Sequence, residues 1–236
     1  MVRSCQNSRN PLISISKGSP YTLGQAQSHI SQGPLGKRIT WVQQSPKDYL
    51  SSIPLPSVTF PPPTIDSKAF DAAVLAHSLW YFSSTSLILS TFRALKQHCH
   101  KLHLAEWSLI ASHPSAQPHV LAALTQAALE CRKPTSESNV RTVLGHKRLT
   151  ELALAAGWQL ESEKLVECGE ELMDGQWEVY ACLSPSFEKE TREQVSDERE
   201  QDVVFALRDS CEASLNSVEG GRKGVRAMDV WVATFV

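Results

Sequence analysis

The sequence predicts a single α/β domain in which strands alternate with helices. Short apolar runs and amphipathic segments of helical period follow one another along most of the chain. One run, residues 70–82, contains five apolar residues in succession and ends in polar and aromatic groups. A run without polar alternation is typical of a strand that helices cover on both faces. We therefore predict a doubly wound sheet whose parallel strands are joined by right-handed crossovers.

Length, charge and cysteine usage restrict the class of protein. A chain of 236 residues suits one domain with a sizeable core, and its formal charge of −2 offers no electrostatic footprint for nucleic acid or an anionic membrane. No run approaches the roughly 20 apolar residues of a membrane span, and the first residues lack the apolar core of a signal peptide. The six cysteines form no Cys-x-x-Cys pair, so we expect them to be reduced. We expect a cytoplasmic protein without nucleic-acid or membrane partners.

The first part of the chain carries weaker signals than the rest. Residues 1–10 are polar and patternless, so we expect disorder there and a single domain over residues 11–236. A short strand is predicted at residues 11–16, where three aliphatic residues occur. Thr22 is a helix N-cap type, and apolar residues at helical spacing continue from it to a Gly-Pro pair. Residues 38–43 predict another strand.

A proline-rich loop leads into the central strand. Residues 51–66 contain five prolines, which exclude both a helix and a central strand. Residues 70–76 then form the strand itself, and the Ser and Thr residues at 83–86 supply N-caps for a helix. The next strand is predicted at residues 101–109, and it contains an acid followed by an aromatic residue near its end.

The second half of the chain continues the alternation and closes it differently. Apolar stripes, strand-like runs and a polar segment predict helices at 120–128 and 149–156, strands at 158–168 and 176–183, a long helix at 187–215 and a strand at 228–236. Gly157 closes the second of these helices as a C-terminal cap. The chain is thus expected to end in a strand, a long helix and a strand.

Six stretches of the sequence carry a resemblance to a known family. They are Ser19–Gly24, Phe70–Tyr81, Leu104–Ser108, Asn139–Thr142, Asp174–Glu178 and Met228–Trp231. In the order and spacing of these stretches, over Ser19–Val236, the chain resembles a class I S-adenosylmethionine-dependent methyltransferase, in particular a fungal group of small-molecule methyltransferases. The resemblance implies a Rossmann-like sheet of seven strands with helices on both faces. Its last strand is antiparallel and inserted between the fifth and sixth, and residues 70–76 are its fourth strand.

The chain departs from that family at its start. The family opens with a strand, a glycine-rich turn that lets the backbone approach the cofactor, and a helix. Here the glycines of Gly33-Pro34-Leu35-Gly36 precede a predicted strand, and the acid that ends the family's second strand is missing. We therefore expect the first strand and its helix to be absent. Backbone groups beside residues 70–76 would then be paired by residues 11–16 or by a partner strand, unless the chain is a truncated product.

The resemblance implies a pocket for S-adenosyl-L-methionine around the end of the 70–76 strand. Its candidate cofactor-binding residues are Asp48, Tyr49, His77, Ser78 and Leu79. His77 is also a candidate catalytic base toward an acceptor hydroxyl or amine, because an ordinary histidine has a pKa near neutrality. The alternative is that His77 is a satisfied polar residue at the end of a strand.

A second set of residues is expected to face the acceptor. Glu106 is the second candidate catalytic residue, because an acid that follows an apolar strand can orient the acceptor; it can equally cap the next turn. The candidate substrate-binding residues are Trp80, Tyr81, Trp107, Asn139 and Arg141. Trp80 and Tyr81 can instead be core residues. Asn139 and Arg141 can instead form the polar start of a helix.

The pattern His98-x-His100-x-x-His103 is the one arrangement that suggests a metal. No nearby set of acids or thiolates completes four ligands, so no metal site is predicted.

These residues and the resemblance together predict methyl transfer from S-adenosyl-L-methionine to a small-molecule substrate, in secondary metabolism, by in-line displacement. The alternative is a truncated or degenerate methyltransferase-fold protein without catalysis, which acts as a binding subunit for a protein partner or as a homo-oligomer. A nicotinamide-dependent oxidoreductase is a weaker interpretation, because no Gly-x-Gly-x-x-Gly follows a strand.

Overall fold

A four-stranded mixed sheet is the centre of the molecule. The computed structural model describes residues 22–54, 68–133, 135–136 and 138–236. Its strands are β1 (Phe70–Ala76), β2 (Cys99–Trp107), β3 (Leu160–Val166) and β4 (Val230–Phe235). They lie in the order β1-β2-β4-β3.

Eight α-helices accompany the sheet within the described residues. They are α1 (Leu23–Gln32), α2 (Pro46–Ser51), α3 (Thr85–His98), α4 (Gln117–Glu130), α5 (His146–Ala155), α6 (Asp174–Cys182), α7 (Pro185–Gln194) and α8 (Glu198–Asn216). Side chains cap several of them at the start, as the sequence predicted for Thr22 and for the polar run before α3. Thr22 accepts from the backbone N–H of Gln25, and Ser84 accepts from that of Leu87.

The connection of the strands confirms the predicted fold class. β1 and β2 are parallel and are joined through α3, whereas β4 is antiparallel to both of its neighbours, β2 and β3. β3 therefore runs in the same direction as β1 and β2, and the last strand of the chain is inserted between β2 and β3. This is the order implied for the closing strands of a Rossmann-like methyltransferase sheet.

Two groups of helices form the hydrophobic core with the sheet. Side chains of α2, α3 and α5 pack against the face of the sheet that carries Leu75, Leu104 and Phe235. The indole of Trp158 closes this layer by donating from Nε1 to the carbonyl of Phe92 over 2.9 Å. The second group, α4, α6 and α8, packs around Ala122, Val179 and Cys211.

β1 is less buried than its sequence predicts. Five apolar residues in succession indicated a strand covered on both faces, but only Leu75 is fully buried, at 4% exposure, and Val74 is 47% exposed. Within the described residues β1 pairs with β2 alone, so it is the outermost strand of the sheet. An apolar run therefore does not determine whether its strand lies inside a sheet or at the edge.

Two other predicted strands are wrong. Residue 38 ends a short 3-10 helix, Gly36–Arg38, and residues 39–43 after it pair with no strand in the described part of the chain. Residues 176–183 lie largely in α6. Aromatic and β-branched residues favoured a strand there, but the buried positions Val179 and Cys182 are three apart, which is the spacing of a helix face.

The single long helix predicted over residues 187–215 is two helices. The chain is extended at Val195, whose side chain is buried against Phe187 and Leu129. Asp197 then starts α8 by accepting from the backbone N–H of Glu200 over 3.0 Å. An inward apolar residue followed by an N-cap therefore divides the run, although its polar and apolar residues fit one continuous helical period.

The remaining predicted elements are confirmed, or lie beyond what the structure describes. α4, α5, β3 and β4 match their predictions, and Gly157 follows α5 with a positive φ of 91°. The predicted disorder at residues 1–10, the strand at 11–16 and most of the proline-rich loop fall outside the described ranges. Among the helices that are described, none has the length and hydrophobicity to cross a membrane.

Candidate functional site

The carboxyl ends of β1 and β2 lie side by side and form the rim of the candidate site. Ala76 is paired with Ala105, and the backbone N–H of His77 donates to the carbonyl of Ala105 over 2.8 Å. His77 has a φ of 44°, and Leu109, just after β2, has a φ of 61°. A residue with a side chain is strained in this left-handed region, by on the order of 1–3 kcal/mol, and such strain clusters at functional sites.

Glu106 holds the turn that follows β1. Its Oε1 atom accepts from the backbone N–H groups of Ser78, at 2.6 Å, and Leu79, at 2.9 Å. These groups begin the short 3-10 helix Leu79–Tyr81, whose amino end attracts negative charge. Glu106, near the end of β2, therefore links that strand to the turn after β1 through the hydrogen bonds of its carboxyl group.

The same carboxyl group is buried and is therefore hard to ionise. Glu106 is 1% exposed, and burial raises its pKa to about 7, although the two backbone hydrogen bonds act in the opposite direction. Its second oxygen, Oε2, and the hydroxyl oxygen of Ser78 are both buried without a hydrogen-bond partner in the part of the chain that the structure describes. Two unsatisfied polar atoms at the end of β1 indicate a place where a polar ligand group or water belongs.

His77 is favoured in its neutral form. Although His77 keeps a solvent-exposed surface, the protein around its ring lowers the pKa by withdrawing the charged form from water. The carboxylate of Asp174, at the start of α6, acts in the opposite direction and raises it. A neutral imidazole is the form that accepts a proton.

Three rings line up behind the rim. The imidazole of His77 lies 4.3 Å from the indole of Trp107, and Trp107 meets the ring of His119 edge to face at 5.1 Å. His119 is fully buried, and its Nδ1 atom accepts from the backbone N–H of Met228 over 3.0 Å. Burial lowers its pKa to about 3, and a charge on His77 adds to that effect, so His119 stays neutral.

The stretch Asn139–Thr142 packs directly on the turn that follows β1. The carbonyl of Trp80 accepts from the backbone N–H groups of Arg141, at 2.9 Å, and Thr142, at 3.1 Å. The side chain of Arg141 donates from Nε to the carbonyl of Ser138 over 2.7 Å, whereas Asn139 is exposed. The structure thus brings Arg141 beside Trp80, and their role in binding a substrate stays a prediction.

The aromatic residues of the turn differ in their surroundings. Trp80 is 6% exposed and packs in a cluster with Val140 and Met228, while Tyr81 is 43% exposed. Leu79 is fully buried in the main core. Of the predicted residues at this turn, His77 and Tyr81 therefore present side-chain surface to solvent, and Leu79 contributes its backbone.

Asp48 and Tyr49 do not join the other predicted residues. Both lie in α2, where Ser45 donates to the carboxylate of Asp48 over 2.6 Å at the start of the helix. The ring of Tyr49 lies 6.4 Å from that of Phe70, at the amino end of β1. A seven-residue strand separates this end from the rim by roughly 20 Å. Their role in cofactor binding stays a prediction that this geometry does not support.

Sequence reasoning missed three residues that organise the rim. Asp174 belonged to a stretch that was noted, but its electrostatic effect on His77 depends on α6, the helix that lies where a strand was predicted. His119 is a lone histidine in a helix and gave no signal. Asp229 was also part of a noted stretch; its carboxylate accepts from the backbone N–H and the hydroxyl of Ser112, at 3.4 and 2.5 Å, and so ties down the loop after β2.

The histidines of the metal-like pattern are separated by the fold. His98 is the last residue of α3, and His100 and His103 lie in β2. The Nδ1 atom of His103 is 3.0 Å from the hydroxyl of Thr234. Among the described residues, no three His, Cys, Asp or Glu side chains lie together as a metal site would require.

Two fungal proteins are similar to this chain over most of its length. Both come from Diaporthe leptostromiformis and are named methyltransferase phomM' and methyltransferase phomM; each is 29% identical over 238 aligned positions, or 92% of this chain. The chain spans 62% of the length of each of these relatives. No protein-family model matches the sequence.

A solved structure has the same arrangement of strands and helices. The crystal structure of a cyclopropane-fatty-acyl-phospholipid synthase-like protein from Lactobacillus casei superposes with a TM-score of 0.70 and 26% identity. The match covers 94% of this chain and 71% of that one. The chain is thus similar in sequence to proteins named methyltransferases and similar in fold to a cyclopropane-fatty-acyl-phospholipid synthase-like protein. The names of the two fungal relatives give methyl transfer as the chemistry of those proteins.

The described residues suit only part of a pocket for S-adenosyl-L-methionine. The unsatisfied Ser78 hydroxyl and the left-handed turn at His77 suit a polar ligand at the end of β1. In the described residues no glycine-rich turn follows a strand. Gly169 follows β3 and Gly145 is the N-cap of α5, and neither has the repeated glycines of such a turn. The residues present therefore fit the half of the pocket that β1 and β2 build.

Proposed function

We propose that this chain takes part in methyl transfer from S-adenosyl-L-methionine to a small-molecule substrate in secondary metabolism, by in-line displacement. The observation that carries this proposal is the rim itself, where a strained, neutral histidine stands beside an aromatic ring at the ends of two parallel strands. Open α/β sheets bind their ligands at the carboxyl ends of the strands. The names of the fungal relatives supply the type of reaction.

His77 has the properties of the general base in this reaction. When bound, S-adenosyl-L-methionine supplies an electrophilic methyl group and takes up the electron pair of the broken carbon–sulfur bond. The neutral imidazole of His77 would accept the proton of an acceptor hydroxyl or amine as that group becomes the nucleophile. Asp174 would then stabilise the imidazolium that forms, since its carboxylate already favours the charged form of His77.

Glu106 is assigned a different role from the one its position in the sequence suggested. Its Oε1 atom is occupied by two backbone N–H groups, and the side chain is almost completely buried. We assign it to holding the turn on which His77 and Ser78 lie. Ser78 and Leu79 would hold the cofactor through this turn, with the unsatisfied Ser78 hydroxyl as the polar contact.

The acceptor would lie against the aromatic surface of the rim. Trp107 is half-buried next to His77, and Tyr81 is exposed on the turn, so both can contact an acceptor ring or chain. Trp80 would support this surface from below and anchor Arg141, which with Asn139 lies on its outer side. Proximity and alignment of the two reactants, rather than covalent help, would supply most of the rate.

A second candidate function is favoured by the outer edge of β1. In the described residues, this edge pairs with no strand. A strand edge that exposes unpaired N–H and C=O groups binds further chain. In this alternative the chain is a non-catalytic binding subunit, and a protein partner or a second copy supplies the rest of a pocket.

Calorimetric titration of the purified chain with S-adenosyl-L-methionine tests the first proposal. We expect binding that Ser78→Ala weakens by about tenfold, which is the loss of one polar contact of roughly 1.4 kcal/mol. Ser83→Ala, an exposed serine beyond the turn, is the matched control and should leave the affinity unchanged. Absence of heat up to millimolar ligand would contradict autonomous cofactor binding. A stoichiometric partner that co-purifies and restores binding would instead support the second candidate.

A further inference from the structure

We propose that His119 is a positioning residue for His77, acting through the indole of Trp107. The proposal rests on the function proposed for His77 as the base, but it concerns a contact that exists in the folded chain without ligand. His119 does not itself reach the rim, because it is fully buried, and so it is not a catalytic residue.

The ring of His119 is fixed in one orientation. Its Nδ1 atom accepts from the backbone N–H of Met228 over 3.0 Å, in the segment that leads into β4. Nδ1 therefore carries no proton, and the proton of the neutral ring is on Nε2. This Nε2 atom is buried without a hydrogen-bond partner among the residues that the structure describes. An unsatisfied buried donor is costly, so its retention calls for a reason other than packing.

The orientation of the Trp107 indole is fixed by its contact with His119. Trp107 is the last residue of β2 and is only half-buried, so one side of the indole lacks the surroundings that hold a core side chain. His119 meets it edge to face, with ring centroids 5.1 Å apart and an interplanar angle of 74°. Edge-to-face contact fixes the angle of a ring as well as its distance.

The indole passes this constraint on to His77. The two ring centroids are 4.3 Å apart, closer than those of Trp107 and His119. His77 stands at a φ of 44°, a backbone conformation that persists only where the surroundings hold it. The backbone is held by the bond to Ala105, and the side chain has Trp107 as its ring neighbour. The order of contacts is therefore Met228, His119, Trp107 and His77.

Two substitutions separate the ring of His119 from its hydrogen bond. His119→Asn keeps an acceptor for the N–H of Met228, because the side-chain oxygen of Asn replaces Nδ1, but it removes the ring. His119→Phe keeps the ring against Trp107 and loses the acceptor. If His119 were only a satisfied core residue, the Phe variant would be the more damaging one for every property.

The measurement is an NMR titration of the His77 ring, assigned by the signal that disappears in His77→Gln. The charged or titratable groups that act on His77 are Asp174 and His119. We expect His119→Asn to shift the pKa of His77 by about half a unit or more, and its ring chemical shifts to change as Trp107 moves. His119→Phe should leave both within error while lowering the urea midpoint of unfolding.

Two further variants keep the outcome decisive. Trp107→Leu retains His119 and must shift the His77 titration in the same way, because the effect passes through the indole. His98→Asn alters another buried histidine, at the amino end of β2, and should leave His77 unchanged. Equal effects of His119→Asn and His119→Phe on His77, or no effect of Trp107→Leu, would overturn the proposal. A failure of cofactor binding would not, because the titration is done without ligand.

Discussion

At the scale of single residues, the rim is supported by two buried side chains, Glu106 and His119, whose charged forms burial disfavours. Glu106 bridges the ends of β1 and β2 with one oxygen, and His119 supports Trp107 from behind. Burial raises the pKa of the acid to about 7 and lowers that of the histidine to about 3. The free energy of folding should therefore depend on pH through these two groups.

Glu106→Gln should change this dependence in a defined direction. The folded-state pKa of about 7 lies above the usual glutamate value of 4.5, so the stability that protonated Glu106 contributes is complete below pH 4.5 and is lost as the pH rises through 7. At pH 8 the variant should be more stable than the wild type by up to about 3 kcal/mol, at 1.4 kcal/mol per pKa unit. Near pH 4.5 the difference should vanish.

Urea unfolding at pH 4.5, 6 and 8 measures that difference. Glu170→Gln, at an exposed position after β3, is the matched control and should follow the wild type throughout. A difference between Glu106→Gln and wild type that does not vary with pH would contradict a buried, protonated carboxyl group.

His77→Gln tests the proposed base without disturbing the turn. The backbone bond to Ala105 and the hydrogen bonds of Glu106 do not involve the imidazole, so the fold and the affinity for S-adenosyl-L-methionine should be retained. Methyl transfer should fall by about 100-fold or more, the usual contribution of a general base. Release of S-adenosylhomocysteine, once an acceptor is found, gives the rate. A rate equal to that of the wild type would assign the proton transfer elsewhere.

At the scale of elements, β1 combines a strand-like sequence with an outer position. Leu75 faces the core with α3, whereas Val74 faces outward and is half exposed. The two residues are neighbours in one strand and differ in burial, so strand propensity alone does not determine which side chain is buried. In α6, residues that favour strands form a helix instead. Their buried positions are three apart, which is the spacing of a helix face.

Leu75→Ala and Val74→Ala form a matched pair for the position of β1. The first should destabilise the protein by about 2–5 kcal/mol, because it leaves a cavity in the core. The second should cost about 1 kcal/mol or less, because the valine is already largely in water. Thermal or urea unfolding measures both. Equal losses would mean that the outer face of β1 is covered in solution.

At the scale of the whole molecule, stability is expected to be highest at the middle of the sheet. β2 and β4 have a strand on each side, whereas β1 and β3 are outermost among the described strands. Every residue of β3 is exposed, and in β4 every second residue is buried. The core of the molecule therefore runs along β2 and β4 and into the layer of α3 and α5.

Hydrogen exchange should reproduce this order. Amides of β2 and β4 should exchange only through global unfolding, while β3 and the amides of β1 that point away from β2 should exchange through smaller openings. Mass spectrometry of peptic peptides resolves the four strands. Protection of β1 as high as that of β2 would show that further chain, or a second copy, pairs with its outer edge.

The sequence by itself determined the local elements and the two strand ends that carry the candidate site. Apolar period, N-caps such as Thr22 and Ser84, and the glycine after α5 act over a few residues, so they are readable without the fold. Tertiary structure alone decided that His119 packs against Trp107, that the charge of Asp174 acts on His77, and that α2 lies at the other end of β1. These distances depend on strand register and helix packing between residues far apart in the chain, and local patterns carry no information about either.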